Sequence, residues 1–110
     1  MPPPSSGGVA IAQIIGLLQR VAKDSYTKNE LIYSQALVES MKHAFANRAE
    51  FLADSAFVDV PVDDLLDPEY LDALAATIRL DKTQHIKSFG SVTVPDDGGT
   101  SHFCVVDRDG

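Results

Sequence analysis

Apolar residues return every three or four positions in three stretches of this 110-residue chain, with turn-forming residues between them. Ile11, Ile14, Ile15, Leu18 and Val21 recur at helical spacing and predict a buried helix over residues 9 to 23. Ser5 or Ser6 of the preceding "PPPSSGG" is placed to cap it. Thr27 with Glu30 three residues on is a capping-box pattern, and Leu31, Val38, Met41, Phe45 and Leu52 make the apolar stripe of a long second helix over residues 28 to 53. "DSAFVDVPVDDLL" is polar and interrupted by Pro61, which predicts an extended loop with a turn. Asp67 followed by Pro68 is a helix start, because proline at the first helical position gives up an N–H that would have no partner there. Leu71, Leu74, Ala75 and Ile78 supply the inner face of this third helix, expected to end near residue 80.

From residue 82 to residue 99 apolar anchors are few, and "PDDGG" closes the stretch, so a mobile connector is expected there. After it, Ser101, Phe103 and Val105 alternate with His102, Cys104 and Val106 as in a strand that runs into a turn at Asp109-Gly110. The chain is therefore expected to be mostly α, with one terminal strand that has no partner.

Composition narrows the function classes. Net charge is −7, and residues 54 to 81 carry all of it, with eight acidic residues against the single Arg79. That distribution argues against nucleic acid as a partner, since neutralising phosphates takes a basic patch. It reads instead as a solvated helix face with its flanking turns. No apolar run approaches the ~20 residues of a membrane-spanning helix, and the first residues lack the pattern of a signal peptide. His43, His85 and His102 fit no metal-ligand spacing, which argues against zinc. His43 reads as a surface or edge residue of its helix, and Cys104 as a small apolar residue of the strand.

One position carries candidate chemistry. A threonine hydroxyl is a weak nucleophile without a neighbouring base, but an N-terminal threonine brings its own, the α-amine with an ordinary pKa of about 8. Thr100 follows Gly98-Gly99 where the connector meets the strand, and the glycines permit the close approach that attack of its hydroxyl on the Gly99 carbonyl needs. Residues of this kind also occur in plain loops. A helical module whose apolar stripes bind partner helices, without catalysis, fits the same pattern.

Three separated motifs bear on the choice. "MPPPSSGG" before an apolar helix, "ESMKHAFANRAEFLADSAFVDVPVDDLLDPEYLDAL" and "GTSHFCVVDRDG" together resemble, in order, the gamma-glutamyltransferase (glutathione hydrolase) family. The resemblance implies an N-terminal-nucleophile hydrolase of αββα fold, of which this chain would be one piece. Residues 1–99 would be the end of the large subunit and residues 100–110 the first strand of the small one. It further implies self-cleavage between Gly99 and Thr100, and Thr100 as the nucleophile toward glutathione and related γ-glutamyl amides. The acceptor would be water, an amino acid or a dipeptide, and no metal or organic cofactor would be needed.

By the same resemblance the parent would be periplasmic or extracellular. Its substrate-gripping arginine would precede Met1 and its oxyanion elements would follow Gly110, leaving this piece inactive alone and prone to self-association. Related amidases of the same fold, of the capsule depolymerase or cephalosporin acylase kind, are the nearest alternatives. Departures from the family pattern are Asn47 for Asp, Ala53 for Gly, and Cys104 for a small hydroxyl residue.

Overall fold

The computed structural model describes residues 5–23, 29–85 and 106–110, and it is helical, with no strand among those residues. α1 spans Gly7–Val21, α2 Glu30–Phe51, α3 Val62–Leu65 and α4 Pro68–Thr77. α1 lies at the centre and touches each of the other three.

Helix α4 follows its local signals. Asp67 Oδ1 accepts from the backbone N–H of Glu69 at 2.8 Å and of Tyr70 at 3.2 Å, and Pro68 occupies the first turn. The helix stops at Thr77, three residues short of the expected end. Ile78 turns extended there, and its N–H still bonds the Ala75 carbonyl. Leu71 and Ile78 close with Leu17 of α1 into a small apolar core, lined further by Val21, Leu74, Ala75 and Leu80.

Other expectations shift. The cap of α2 is Asn29, whose Oδ1 accepts from Ile32 N–H at 3.2 Å, while Thr27 lies outside the described residues. Ser6 stands at the N-cap of α1 but caps nothing with its side chain, because its hydroxyl accepts from Arg48 Nε at 2.9 Å. The segment read as loop around Pro61 contains α3. Proline is tolerated at a helix start, Asp63 and Asp64 suit the positive end of the helix dipole, and Leu65 is buried.

The faces that α1 and α2 bury also differ from the apolar stripes. α1 is apolar nearly all round, so periodicity cannot select a face. The buried one is Val9, Ala10, Gln13 and Leu17, while Ile11 and Ile15 are exposed. On α2 the inward residues are Ala36, Glu39, Ser40, His43, Ala44, Ala46 and Asn47. Leu31, Val38, Met41 and Phe45 face solvent, Leu31 at 82% exposure. Small side chains such as Ala36, Ser40 and Ala44 let the helices approach closely, and Gln13, Glu39 and Asn47 on the same faces bond across the contact. Gly16 shows the same constraint from α1, since a Cβ there would meet Leu71 Cδ1 at 2.9 Å.

Candidate functional site

Gly99 and Thr100, together with His102 and Cys104, lie outside the described residues, as do residues 86–99 of the expected connector and residues 100–105 of the expected strand. Beyond them, Asp107 Oδ1 accepts from Asp109 N–H at 3.0 Å and Gly110 N–H bonds the Asp107 carbonyl at 3.1 Å, forming a turn. Gly110 has φ +87°, the left-handed region open to glycine.

The most organised polar group among the described residues is a seam between α2, the end of α4 and the segment that follows. Glu39 is fully buried, and its Oε1 accepts from Lys42 Nζ at 2.8 Å, Gln35 Nε2 at 3.2 Å and Gln84 N–H at 3.3 Å. Lys42 Nζ also donates to the Gln84 carbonyl at 3.1 Å. Gln84 is held by its side chain as well, with Nε2 donating to the Thr77 carbonyl at 2.9 Å and Oε1 accepting from Arg79 N–H at 3.2 Å.

His43, expected at the surface, is buried in this seam beside Thr77 Oγ1. Burial holds its pKa below the ordinary histidine value, with Lys42 acting the same way and Glu39 opposing. One helical turn on, Tyr70 OH donates to Asn47 Oδ1 at 3.0 Å. At this position, where the resemblance expects Asp, the amide leaves Nδ2 without a partner.

Chemically the seam is a joint. Ser40 and Glu39 have no exposed surface, so no substrate reaches them, and no cluster of metal-ligating side chains occurs among the described residues. What the seam does is fix Gln84, by its main chain to α2 and by its side chain to the end of α4 and to Arg79. Sequence reasoning missed it. The available signal was polar residues, Glu39, Lys42 and His43, at helical spacing opposite the apolar stripe.

Comparison with known proteins supplies what these residues cannot. The family model described as Gamma-glutamyltranspeptidase matches residues 1–110. The chain is 35% identical to the glutathione hydrolase proenzyme of Escherichia coli K12, covering 100% of this chain and 19% of that protein. It is 35% identical to the acylase ACY 1 proenzyme of Pseudomonas sp. SE83, covering 99% of this chain and 19% of that one. A solved gamma-glutamyltranspeptidase from Pseudomonas nitroreducens, complexed with L-DON, superposes with a TM-score of 0.73 at 37% identity, over 81% of this chain and 27% of that one. The chain thus spans about a fifth of the length of these curated relatives.

Proposed function

Because this chain belongs to the gamma-glutamyltranspeptidase family, we propose that it carries the junction at which a longer precursor cuts itself into two subunits, between Gly99 and Thr100. The supporting observation is the family match along all 110 residues to relatives named as proenzymes, together with the Gly98-Gly99-Thr100 step in the sequence.

In the proposed reaction the Thr100 hydroxyl oxygen attacks the Gly99 carbonyl carbon. The Gly99–Thr100 C–N bond breaks as the nitrogen takes a proton, leaving an ester. Water cleaves the ester to a Gly99 carboxylate and restores the Thr100 hydroxyl, for which the α-amine freed in the first step is then the local base. The mature nucleophile takes the γ-glutamyl group of glutathione or a related amide as an ester, and water, an amino acid or a dipeptide removes it. Each tetrahedral intermediate needs an oxyanion hole, assigned to parts of the αββα precursor outside this chain. Residues 1–99 belong on this reading to the large subunit and residues 100–110 to the small one, in a periplasmic or extracellular enzyme.

The N-terminal sequence of the mature small subunit tests the assignment, since any start other than Thr100 refutes it. Thr100→Ala abolishes both processing and transfer, whereas Thr100→Ser keeps a part of each because a hydroxyl remains.

A second reading, an acylase acting on other side-chain amides, is favoured by the equal identity of 35% to the acylase proenzyme. Rates on a γ-glutamyl anilide and on an acyl amide, measured side by side, separate the two. The chain by itself is proposed to self-associate through its exposed apolar side chains, and a clean monomer in sedimentation at tens of micromolar would count against that.

A further inference from the structure

Among the described residues Arg20, Arg79 and Arg108 each stand against a carboxylate, and Arg48 does not. It is nevertheless held in place. Its Nε donates to Ser6 Oγ at 2.9 Å, and its Cζ lies 6.0 Å from the centroid of the Phe45 ring. The terminal nitrogens, which form the fork that matches a carboxylate, have no acceptor among the described residues. With Ser6 and Gly7, Arg48 lines an open groove of about 400 Å³ between α1 and α2, walled by Ile11, Ile14 and Phe45. That volume lies in the ~300–1,000 Å³ range of ligand clefts, so it admits more than one side chain. Its walls face water, Ile11 at 59% exposure and Phe45 at 51%.

We propose that this groove seats a segment of the precursor from outside residues 1–110, whose apolar side chains cover Ile11, Ile14 and Phe45 while an Asp or Glu of the same segment pairs with Arg48. The apolar walls call for an apolar cover, and any such cover also takes water from the guanidinium beside them. Arginine cannot shed its charge. Drying it without a counter-charge would strand an ion at a cost that apolar contact does not offset, so the segment that fills the groove must bring the carboxylate. Gly7 begins α1 at the same place, and the positive end of the helix dipole favours the same sign of partner. The source of the segment follows from length, because the chain spans only 19% of the curated relatives and about four-fifths of such a precursor lies elsewhere. In the isolated chain these walls are among the side chains proposed to self-associate, and in the precursor the segment takes their place. The inference rests on the chain being part of a longer precursor, and not on the bond at which that precursor is cut.

Photocrosslinking in the full-length precursor tests it, with p-benzoylphenylalanine placed at Ile11 so that Arg48 and Phe45 stay unchanged. Mass spectrometry after irradiation and digestion should find the label joined to a peptide of the same polypeptide outside residues 1–110, holding Asp or Glu among apolar residues. Arg48→Glu should cut the yield of that cross-link at least ~tenfold, since like charges then meet, and replacing the acidic residue by Lys in the same protein should restore most of it. A cross-link confined to residues 1–110, one between two copies, one to a peptide without an acidic residue, or none at all overturns the proposal. So does a yield indifferent to Arg48→Glu, or one that the charge swap leaves low. If Arg48→Glu does not fold, Arg48→Gln replaces it with a smaller expected loss, and if neither folds the identity of the cross-linked peptide decides. An uncut Thr100→Ala precursor should give the same cross-link, so a wrong cleavage bond leaves the groove standing, and a missing cross-link in a precursor that is cut before Thr100 removes the groove alone.

Discussion

Replacing Lys42 by Met removes the ammonium that compensates a fully buried carboxylate. Lys42 Nζ stands 2.8 Å from Glu39 Oε1, and the Lys42 side chain is only 22% exposed. At an effective dielectric constant of ~20, a contact of that length is worth roughly 6 kcal/mol before the cost of drying both groups. Exposed pairs return only ~0.2–1 kcal/mol, and breaking a buried pair by deleting one partner costs ~3–5. Lys42 keeps some solvent, so the lower end applies, and Lys42→Met should lose about 3 kcal/mol. Against a total stability of ~5–15 kcal/mol, that loss lowers the thermal midpoint by at least ~10 °C.

Adding Glu39→Gln removes the stranded charge and keeps the shape. The double variant should therefore recover to within ~1 kcal/mol of wild type, a coupling of about 2–3 kcal/mol in a double-mutant cycle. Urea unfolding followed by circular dichroism at neutral pH gives all four stabilities. A single-variant loss below ~0.5 kcal/mol, or a double variant as unstable as Lys42→Met, refutes the reading of Glu39 as a buried, compensated charge.

Three further outcomes are expected. Gly16→Ala gains up to ~1 kcal/mol of helix propensity but drives a methyl against Leu71 Cδ1, and overpacking at ~1–3 kcal/mol should leave it net less stable by urea titration. Leu17→Ala empties the centre of the α1–α4 core and should cost ~2–5 kcal/mol, which calorimetry would register as a large fall in melting temperature. Because burial depresses the His43 pKa from 6.5, its contribution to stability is complete above about pH 6.5 and is lost as pH falls through the folded value. The thermal midpoint should drop in that direction in wild type and much less in His43→Gln.

How much of this could be read beforehand depends on the range of the interactions. α4 was legible because Asp67 and Pro68 act within three residues of themselves, and Leu71, Leu74, Ala75 and Ile78 have one apolar face to offer. The faces of α1 and α2 were not legible, because bonds across long separations choose them: Gln13 Nε2 to the Leu65 carbonyl at 2.8 Å, Tyr70 to Asn47, and Gln84 to Glu39. α3 hid behind Pro61, which marks a helix start as readily as a break. The family was legible from three ordered motifs, because recognising them does not depend on knowing which face packs inward.

The distribution of side chains in α2 bears on why those motifs sit on such a surface. A helix that served only this chain would turn Val38, Met41 and Phe45 inward and leave Glu39, Lys42 and His43 in water. α2 does the reverse, and an exposed groove lined by Ile11, Ile14 and Phe45 joins its apolar face to that of α1. Each such side chain, fully buried, would be worth ~1.5–3 kcal/mol, so leaving several in water is costly. The relatives are about five times as long as this chain, and the proposed precursor has ample chain to cover them. The polar seam then has a reason to lie inside. With the apolar faces turned toward the rest of the proposed precursor, the segment that leads in sequence toward Gly99 and Thr100 is fastened to α2 and α4 by charge and hydrogen bonds at Gln84 and not by apolar contact.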